Sequence, residues 1–296
     1  MKNILRYSGI SAVAKVARLA AIFFAAMVVG SKTVGAQDLI ILHTNDVHSQ
    51  ITPQILPRLI GDGQGLGGYQ RREAYINEVV KKHGRKRVLI LDGGDFSMGS
   101  SHYAIYRGDM EIELLNVLGY DAVCLGNHEF DRGHEELAHR LGNAKFDVLC
   151  ANYNFSNSPI KNLVKPYTIV KKGGKKIGII GLILDMKNMS MSKDGKNSSF
   201  LAPTDVLNRL AHELKAEHKC DLVIALSHCG LYTGRPNNPS DEQIAPLTEN
   251  VDIIVGGHSH TYMEQMLTVK NKQGKDVIIV QAGANGEYIG RLDLWW

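Results

Sequence analysis

The chain has 296 residues, 44% of them hydrophobic, so it is long enough to bury the core of one large domain or two small ones and is unlike a disordered chain. Its formal charge of +4 arises in the first 36 residues, which hold five Lys or Arg and no acidic side chain; residues 37–296 have 29 basic and 30 acidic side chains. With no basic excess, we expect no nucleic-acid partner.

The N-terminal segment has the pattern of a secretory signal peptide. Basic side chains precede a short apolar run at 19–29, and the small residues of SKTVGAQ follow it. The run is shorter than the roughly 20 apolar residues of a membrane-spanning helix. We therefore predict a signal peptide over 1–36, a mature chain from Gln37, and export to a periplasm or the extracellular space. The alternative is an uncleaved segment that anchors the chain to a membrane.

Short apolar runs alternate with amphipathic stretches along the rest of the chain. Strands are predicted at 39–43, 87–92, 121–126, 147–152, 176–183, 221–227 and 252–257. Helices are predicted at 69–82, 109–118, 133–143, 204–218 and 241–248. The segment PYTIVKKGGKKIGIIG predicts a hairpin, and VIIVQAG with YIGRLDL predicts a further strand pair near the end. This alternation indicates an α/β domain without internal repeats.

The four cysteines are Cys124, Cys150, Cys220 and Cys229. None has CxxC spacing, and three lie in or beside apolar strands. We interpret them as buried thiols, with disulfides as the alternative if the chain reaches an oxidising compartment.

Polar side chains follow several of the predicted strands. HTNDVHS contains Asp46 and His48, LDGGDFS contains Asp92 and Asp95, LGNHEFD contains Asn127, His128 and Asp131, LSHCG contains His228, and GGHSH contains His258 and His260. Because the carboxyl ends of strands in an α/β sheet meet at one edge, we expect these clusters to share one pocket. Each cluster alone is typical of a turn or a helix cap, but five in succession indicate a functional site.

The donor types in these clusters indicate divalent metal ions. Carboxylate, imidazole and amide donors without thiolates suit Zn²⁺, Mn²⁺, Co²⁺ or iron, and the sequence does not select among them. There are more donors than one tetrahedral ion needs, so we predict two ions. Two ions about 3.5 to 4 Å apart can lower the pKa of a bridging water and stabilise in-line displacement at phosphorus.

The ordered motifs D-x-H, G-G-D, G-N-H-E-F-D, S-H and G-H-S-H resemble those of the calcineurin-like metallophosphoesterase superfamily. More closely, ILHTNDVHS, GLGGYQRR, LDGGDFSMGS, CLGNHEFDRG, VLCANY and IGRLDL resemble the catalytic domain of secreted 5′-nucleotidases, including the periplasmic UDP-sugar hydrolase type. The resemblance covers nearly all of 38–294. It implies a four-layer αββα sandwich, in which two sheets pack face to face with helices outside.

The resemblance also implies a role for each matching residue. One metal would be held by Asp46, His48 and His260, the other by Asn127, His228 and His258, with Asp95 bridging the two. The catalytic pair would be His128, which donates a proton to the phosphoryl oxygens or the leaving group, and Asp131, which orients it. We interpret His43 and Asp92 as core or supporting residues and Glu129 as a residue that orients its loop.

The expected activity is hydrolysis of phosphate esters, with nucleoside 5′-monophosphates as favoured small-molecule substrates. The same site could serve 2′,3′-cyclic nucleotides, UDP-sugars or sulfur esters, and a non-catalytic, metal-stabilised binding subunit is the alternative of another class. Secreted 5′-nucleotidases continue into a nucleotide-binding domain. We expect residues 37–296 to form the catalytic domain alone, without that nucleotide-binding domain. Three explanations are open: a separate partner chain supplies the missing domain, the chain is a phosphatase of loose specificity, or the chain is truncated.

Overall fold

The computed structural model describes residues 6–11, 37–54, 65–187, 199–232 and 238–296. The strands are β1 (Arg6–Ser11), β2 (Leu39–Thr44), β3 (Val88–Asp92), β4 (Ala122–Cys124), β5 (Asp147–Leu149), β6 (Tyr153–Asn154), β7 (Val164–Lys165), β8 (Tyr167–Lys172), β9 (Lys175–Ile183), β10 (Ser199–Phe200), β11 (Leu222–His228), β12 (Ile253–Val255), β13 (Leu267–Lys270), β14 (Asp276–Val280) and β15 (Tyr288–Leu294). The α-helices are α1 (Tyr69–His83), α2 (Ser101–Tyr106), α3 (Asp109–Leu118), α4 (Gly133–Leu141), α5 (Pro203–Ala216) and α6 (Asp241–Ile244).

Two mixed sheets form the centre of the fold. The first has the strand order β1-β15-β2-β3-β4-β5-β7, and the second has the order β13-β14-β12-β11-β9-β8. Strands β2, β3, β4, β5 and β7 run parallel, as do β9, β11, β12 and β14. The carboxyl ends of the parallel strands in each sheet therefore meet at one edge of that sheet.

Side-chain alternation along the strands produces four layers. Ile41 and Leu91 of the first sheet pack against Ile224 and Val255 of the second in one buried cluster between the sheets. Residues at the alternate positions of the strands point outward: those of the first sheet pack on α1, α3 and α4, and those of the second pack on α5. This arrangement confirms the predicted αββα sandwich.

Most predicted elements are present. The elements that were not predicted are helix α2 and strands β1, β6, β7, β10 and β13. Helix α2 has six residues, too few to show a helical period, and β6, β7 and β10 have two residues each. VIIVQAG and YIGRLDL both form strands, but the prediction that these two strands pair with each other is wrong. Strand β14 lies in the second sheet beside β12 and β13, whereas β15 lies in the first between β1 and β2. The seven residues between them cross from one sheet to the other, so their proximity in sequence does not produce pairing.

The N-terminal segment is described in part. Strand β1 falls within the predicted leader and pairs antiparallel with β15, with Arg6 opposite Asp293. The rest of 1–36 lies outside the described residues, as does the apolar run at 19–29. None of the helices in the described ranges has the length and apolar character needed to cross a bilayer.

All four cysteines are free and buried, none more than 6% exposed, which confirms their interpretation as buried thiols. Burial raises the pKa of each thiol, to about 12 for Cys150. A buried thiol with a raised pKa holds little of the reactive thiolate at neutral pH.

We predict that the native chain does not react with a thiol-specific colorimetric reagent at neutral pH, whereas the denatured chain releases colour equivalent to four thiols. Absorbance with and without guanidinium measures both values. Rapid labelling of the native chain, or fewer than four thiols after denaturation without a reductant, would contradict the prediction.

Candidate active site

The predicted metal ligands lie on tight turns at the edge where the parallel strands end. Five of the seven ligands have left-handed backbone conformations: Asp46, His48, Asp95, His258 and His260 have φ angles of 50°, 51°, 53°, 73° and 54°. Such a conformation costs an ordinary residue roughly 1 to 2 kcal/mol. Strain of this kind persists where the surroundings fix it, and it concentrates at functional sites.

The first donor group contains Asp46, His48 and His260. Oδ1 of Asp46 lies 3.4 Å from Nε2 of His260 and 3.9 Å from Nε2 of His48. The two Nε2 atoms lie 3.0 Å apart. One donor atom from each residue therefore falls within 4.8 Å of the others, which is close enough to share one ion. These three residues are the ligands predicted for one metal.

The second donor group contains Asp95, His228 and His258, again within 4.8 Å of one another. Oδ2 of Asp95 lies 3.0 Å from Nε2 of His228, and Oδ1 of Asn127 lies 3.1 Å from Nδ1 of His258. The groups adjoin, because Nε2 of His228 lies 3.9 Å from Oδ1 of Asp46. The structure therefore brings all seven predicted ligands together, with Asp95 in the second group and also within 4.8 Å of donor atoms of His48 and His128.

Backbone carbonyls set which ring nitrogen of two histidines carries a proton. Nδ1 of His228 lies 2.7 Å from the carbonyl oxygen of Gly93, and Nδ1 of His48 lies 3.1 Å from that of Met98. A carbonyl only accepts, so each Nδ1 carries the hydrogen, and in the neutral ring Nε2 presents its lone pair to the site. Nε2 of His228 is buried and makes no hydrogen bond of suitable geometry, although Asp95 is close.

This donor set fits divalent cations. A lone pair on Nε2 of His228, 3.0 Å from a carboxylate oxygen, is repelled unless a proton or a cation lies between them. Burial opposes a charge on His228, but the nearby Asp95 and Asp46 carboxylates outweigh it and raise the pKa to about 10. The cluster thus requires positive charge, and a bound metal ion would displace the proton that otherwise supplies it.

The predicted catalytic pair lies beside both donor groups. Nδ1 of His128 lies 2.7 Å from Oδ2 of Asp131, and the His128 ring centroid is 5.3 Å from that of His48. The hydrogen bond to Asp131 raises the pKa of His128, although partial burial opposes the shift. The backbone N–H of His128 also donates to Oδ1 of Asp95 at 2.9 Å, so the turn that carries the pair is joined to a predicted metal ligand.

Glu129 holds two of the ligand turns together. Its Oε2 accepts from the backbone N–H groups of Asp95 and Gly126 at 2.9 and 2.8 Å, and its Oε1 accepts from the N–H and hydroxyl of Ser97. The interpretation of Glu129 as an orienting residue is therefore confirmed. The turns approach so closely that a Cβ on Gly126 would lie 2.2 Å from Oδ1 of Asp95, which explains the glycine there.

Two further polar residues support the strand ends. Asp92 accepts from Thr44 and from the N–H of Gly94, and burial raises its pKa to about 7. His43 packs in the core, where burial lowers its pKa to about 3. These contacts agree with the interpretation of Asp92 and His43 as core or supporting residues.

Asn45 was not singled out from the sequence. Its side chain donates to Oδ2 of Asp46 and to the carbonyl of Gly283, and it accepts from the N–H of Ala282. It therefore joins the first ligand turn to the segment after β14. Gly283 and Ala282 are more than 230 residues away in the chain, so no local pattern revealed these contacts.

Comparison with known proteins agrees with this geometry. Residues 39–262 match the model of the calcineurin-like phosphoesterase family. The chain belongs to this family.

This phosphoesterase is similar to a snake venom 5′-nucleotidase of Gloydius brevicauda, with 33% identity over 89% of this chain and 46% of that protein. It is 32% identical to a human 5′-nucleotidase over 88% of this chain and 47% of that protein. The structure of a 5′-nucleotidase precursor from Thermus thermophilus superposes with a TM-score of 0.77 at 33% identity, covering 87% of this chain and 53% of that one. The phosphoesterase thus spans about half the length of these relatives.

We predict that Glu129→Ala destabilises the phosphoesterase by about 3 kcal/mol or more, because it leaves buried N–H groups of Asp95, Ser97 and Gly126 without an acceptor. Urea denaturation measures the change in the free energy of unfolding. Glu135→Ala, at an exposed position of α4, serves as the control and should resemble the unmodified chain. Equal stability of the Glu129 variant and the control would contradict this role.

Proposed function

We propose that this chain is a hydrolase of phosphate monoesters that uses two divalent metal ions and favours nucleoside 5′-monophosphates. The observation that carries the proposal is the pair of adjoining donor groups, with the hydrogen-bonded pair of His128 and Asp131 beside them. In this assignment one ion would be held by Asp46, His48 and His260, the other would be held by Asn127, His228 and His258, and Asp95 would serve both. The donor types fit Zn²⁺, Mn²⁺, Co²⁺ or iron.

When bound, the ions would supply Lewis acidity and a water of lowered pKa. The residues of the chain supply orientation and a proton. Asp131 holds Nδ1 of His128, which leaves Nε2 as the ring nitrogen available to the substrate. A proton donated from Nε2 to the departing alkoxide oxygen neutralises the charge that develops as the ester bond breaks. Asp131 stabilises the protonated ring before this transfer.

Nucleotides are the favoured substrates because the relatives are named 5′-nucleotidases. Cyclic nucleotides, UDP-sugars and sulfur esters remain alternatives on the same fold. A purely structural role explains the metal ligands but not the catalytic pair. The side chain of His128 is partly exposed and is held by its hydrogen bond to Asp131, so a binding subunit would have little use for it.

We also propose that the chain is exported to a periplasm or the extracellular space. The basic and apolar pattern of 1–36 supports export. N-terminal sequencing of the exported protein should find Gln37 first, and an intact leader would instead indicate a retained segment.

We predict that His128→Asn lowers kcat for an activated aryl phosphate by about 10²- to 10⁴-fold, because the departing oxygen loses its proton donor. Metal content, measured by plasma mass spectrometry, should stay at that of the unmodified chain. His139→Asn, at an exposed position of α4, is the matched control and should retain full turnover. Full turnover in the His128 variant would show that this histidine is not the acid.

The substrate assignment is tested by phosphate release from 5′-AMP, 2′,3′-cyclic AMP, UDP-glucose and p-nitrophenyl phosphate, with a second phosphatase to detect monoester products. We expect hydrolysis of 5′-AMP to lead, to cease after chelation and to return with Mn²⁺ or Zn²⁺. Faster hydrolysis of another substrate would replace the nucleotide assignment. No hydrolysis of any of the four by the metal-loaded chain would contradict the proposed function.

A further inference from the structure

Four buried polar side chains lie together beneath the ligand turns. They are a cation, two hydroxyls and a carboxylate, none more than 6% exposed, and we call them the Asp92 network: Arg72, Tyr120, Thr44 and Asp92. The hydroxyl of Thr44 donates to Oδ2 of Asp92 at 2.5 Å and lies 2.6 Å from the hydroxyl oxygen of Tyr120. Burial raises the pKa of Tyr120 to about 12, and the charge and hydrogen bond of Arg72 oppose that rise.

The hydrogen bonds of the Asp92 network fit only one direction. Thr44 gives its one hydroxyl hydrogen to Asp92, so the contact between the two hydroxyls uses the hydrogen of Tyr120. The Tyr120 oxygen then accepts from Arg72. Because a guanidinium cannot accept, the reverse direction would leave the Tyr120 hydrogen facing a donor. Asp92 is therefore the acceptor at one end and Arg72 the donor at the other.

The fold places the Asp92 network between the first sheet and its helices. Thr44 and Asp92 are the last residues of β2 and β3 and lie opposite each other in register. The residues two positions earlier on each strand share this face and pack in one cluster with residues of α1 and α3. Arg72 lies on α1, and Tyr120 follows α3. Helix packing thus brings a cation to the face where a strand ends in a carboxylate.

Asp92 holds the turn that follows β3. Its Oδ1 accepts from the N–H of Gly94 at 2.9 Å. The carbonyl of Gly94 accepts from the N–H of Asp46 at 2.8 Å, and the carbonyl of Gly93 accepts from Nδ1 of His228 at 2.7 Å. The turn therefore joins a ligand of the first donor group to a ligand of the second, and Asp92 fixes its position from below.

The other end of the Asp92 network contacts the segment that supports Asp46. A Cβ on Gly286 would lie 2.1 Å from Nη2 of Arg72, so the guanidinium packs against the Gly286 backbone. The N–H of Asn285, the preceding residue, donates to the carbonyl oxygen of Asp46 at 2.7 Å. Both ends of the network thus adjoin backbone that is hydrogen-bonded to this ligand.

We propose that the Asp92 network balances the buried charge of Asp92 through two hydroxyls and positions the turn at 93–95 for metal binding. Its members are positioning residues, because each acts through the backbone of the turn rather than through the donor atoms. The positioning role rests on the metal ligands of the proposed function. It also assigns a use to the GLGGYQRR motif, whose last residue is Arg72.

A double-mutant cycle on the two charged ends, Arg72→Met and Asp92→Asn, tests the balance of charge. Each single change leaves one buried charge uncompensated, so each should lower the Tm and weaken Mn²⁺ binding about tenfold or more in titration calorimetry. The double variant removes both charges, so its loss of Mn²⁺ affinity should be near that of one single variant and far below the product of the two. Independent, multiplicative losses would overturn the balance of charge.

Tyr120→Phe tests the link between the ends, because it keeps the ring and both charges and removes only the hydroxyl. We expect Mn²⁺ affinity to fall about threefold or more, in line with the loss of a buried hydrogen bond. The same change made in the Arg72→Met variant should have no further effect, since the link is already broken there. Unchanged Mn²⁺ affinity in Tyr120→Phe would overturn the link through the hydroxyls.

Lys172→Met is the matched control. It breaks a largely buried ion pair of 2.9 Å with Asp121, which precedes β4, and Nζ of Lys172 also donates to the carbonyl of Val88, the first residue of β3. The change therefore lies at the end of these strands opposite to the ligand turns. It should lower the Tm but leave Mn²⁺ affinity within about twofold, since distant sites act independently.

The visible absorption of the Co²⁺-loaded chain separates positioning from stability, because it reports the coordination geometry of the ion. We expect the spectrum to change in Arg72→Met and Asp92→Asn and to stay the same in Lys172→Met. If the Arg72 and Asp92 variants lower the Tm as the control does, but keep Mn²⁺ affinity and the Co²⁺ spectrum, the positioning role is overturned.

Two further results keep the proposal decidable. If the charge variants do not fold, Tyr120→Phe decides, because it leaves both charges in place and is measured by the same Mn²⁺ titration and Co²⁺ spectrum. If the unmodified chain binds no Mn²⁺, the proposed function fails and the positioning role with it. Normal metal binding by the unmodified chain and all of its variants would overturn the positioning role alone.

Discussion

The site depends on the burial of two carboxylates, Asp46 and Asp95, which are 0% and 2% exposed at the edge shared by the two sheets. An uncompensated buried carboxylate costs several kcal/mol, so positive charge must accompany the pair. Histidine nitrogens converge on these oxygens, and backbone carbonyls hold two of those rings with Nε2 facing inward. Proton and metal ion are alternative sources of the same charge, and binding of a cation is therefore coupled to loss of a proton.

The fold provides this convergence because both sheets present the ends of parallel strands at one edge. Turns after β2, β3 and β4 carry Asp46, Asp95 and Asn127 from the first sheet, whereas β11 and the turn after β12 carry His228 and His258 from the second. Neither sheet alone holds both donor groups. Packing of the sheets face to face thus forms the site. The backbone strain that accompanies it is concentrated in the left-handed turns that carry the donor residues.

The α/β pattern and the clustering of the candidate-site residues could be predicted from the sequence, because strand-end polar motifs are local and their order is distinctive. Contacts that depend on distant segments could not. Asn45 supports Asp46 through residues more than 230 positions away, and the separation of β14 from β15 depends on the sheet that each joins. Arg72 looks like an ordinary helical surface residue in the sequence. Its burial follows from the packing of α1 and α3 over the first sheet.

We propose that the seven candidate ligands hold two metal ions. A crystal of the chain grown with Mn²⁺ and measured at the manganese absorption edge tests it directly, since anomalous scattering locates each ion. We expect two peaks about 3.5 to 4 Å apart. One should lie at Asp46, His48 and His260, the other at Asn127, His228 and His258, with Asp95 between them. A single peak, or peaks away from these residues in a correctly folded crystal, would contradict the two-ion site.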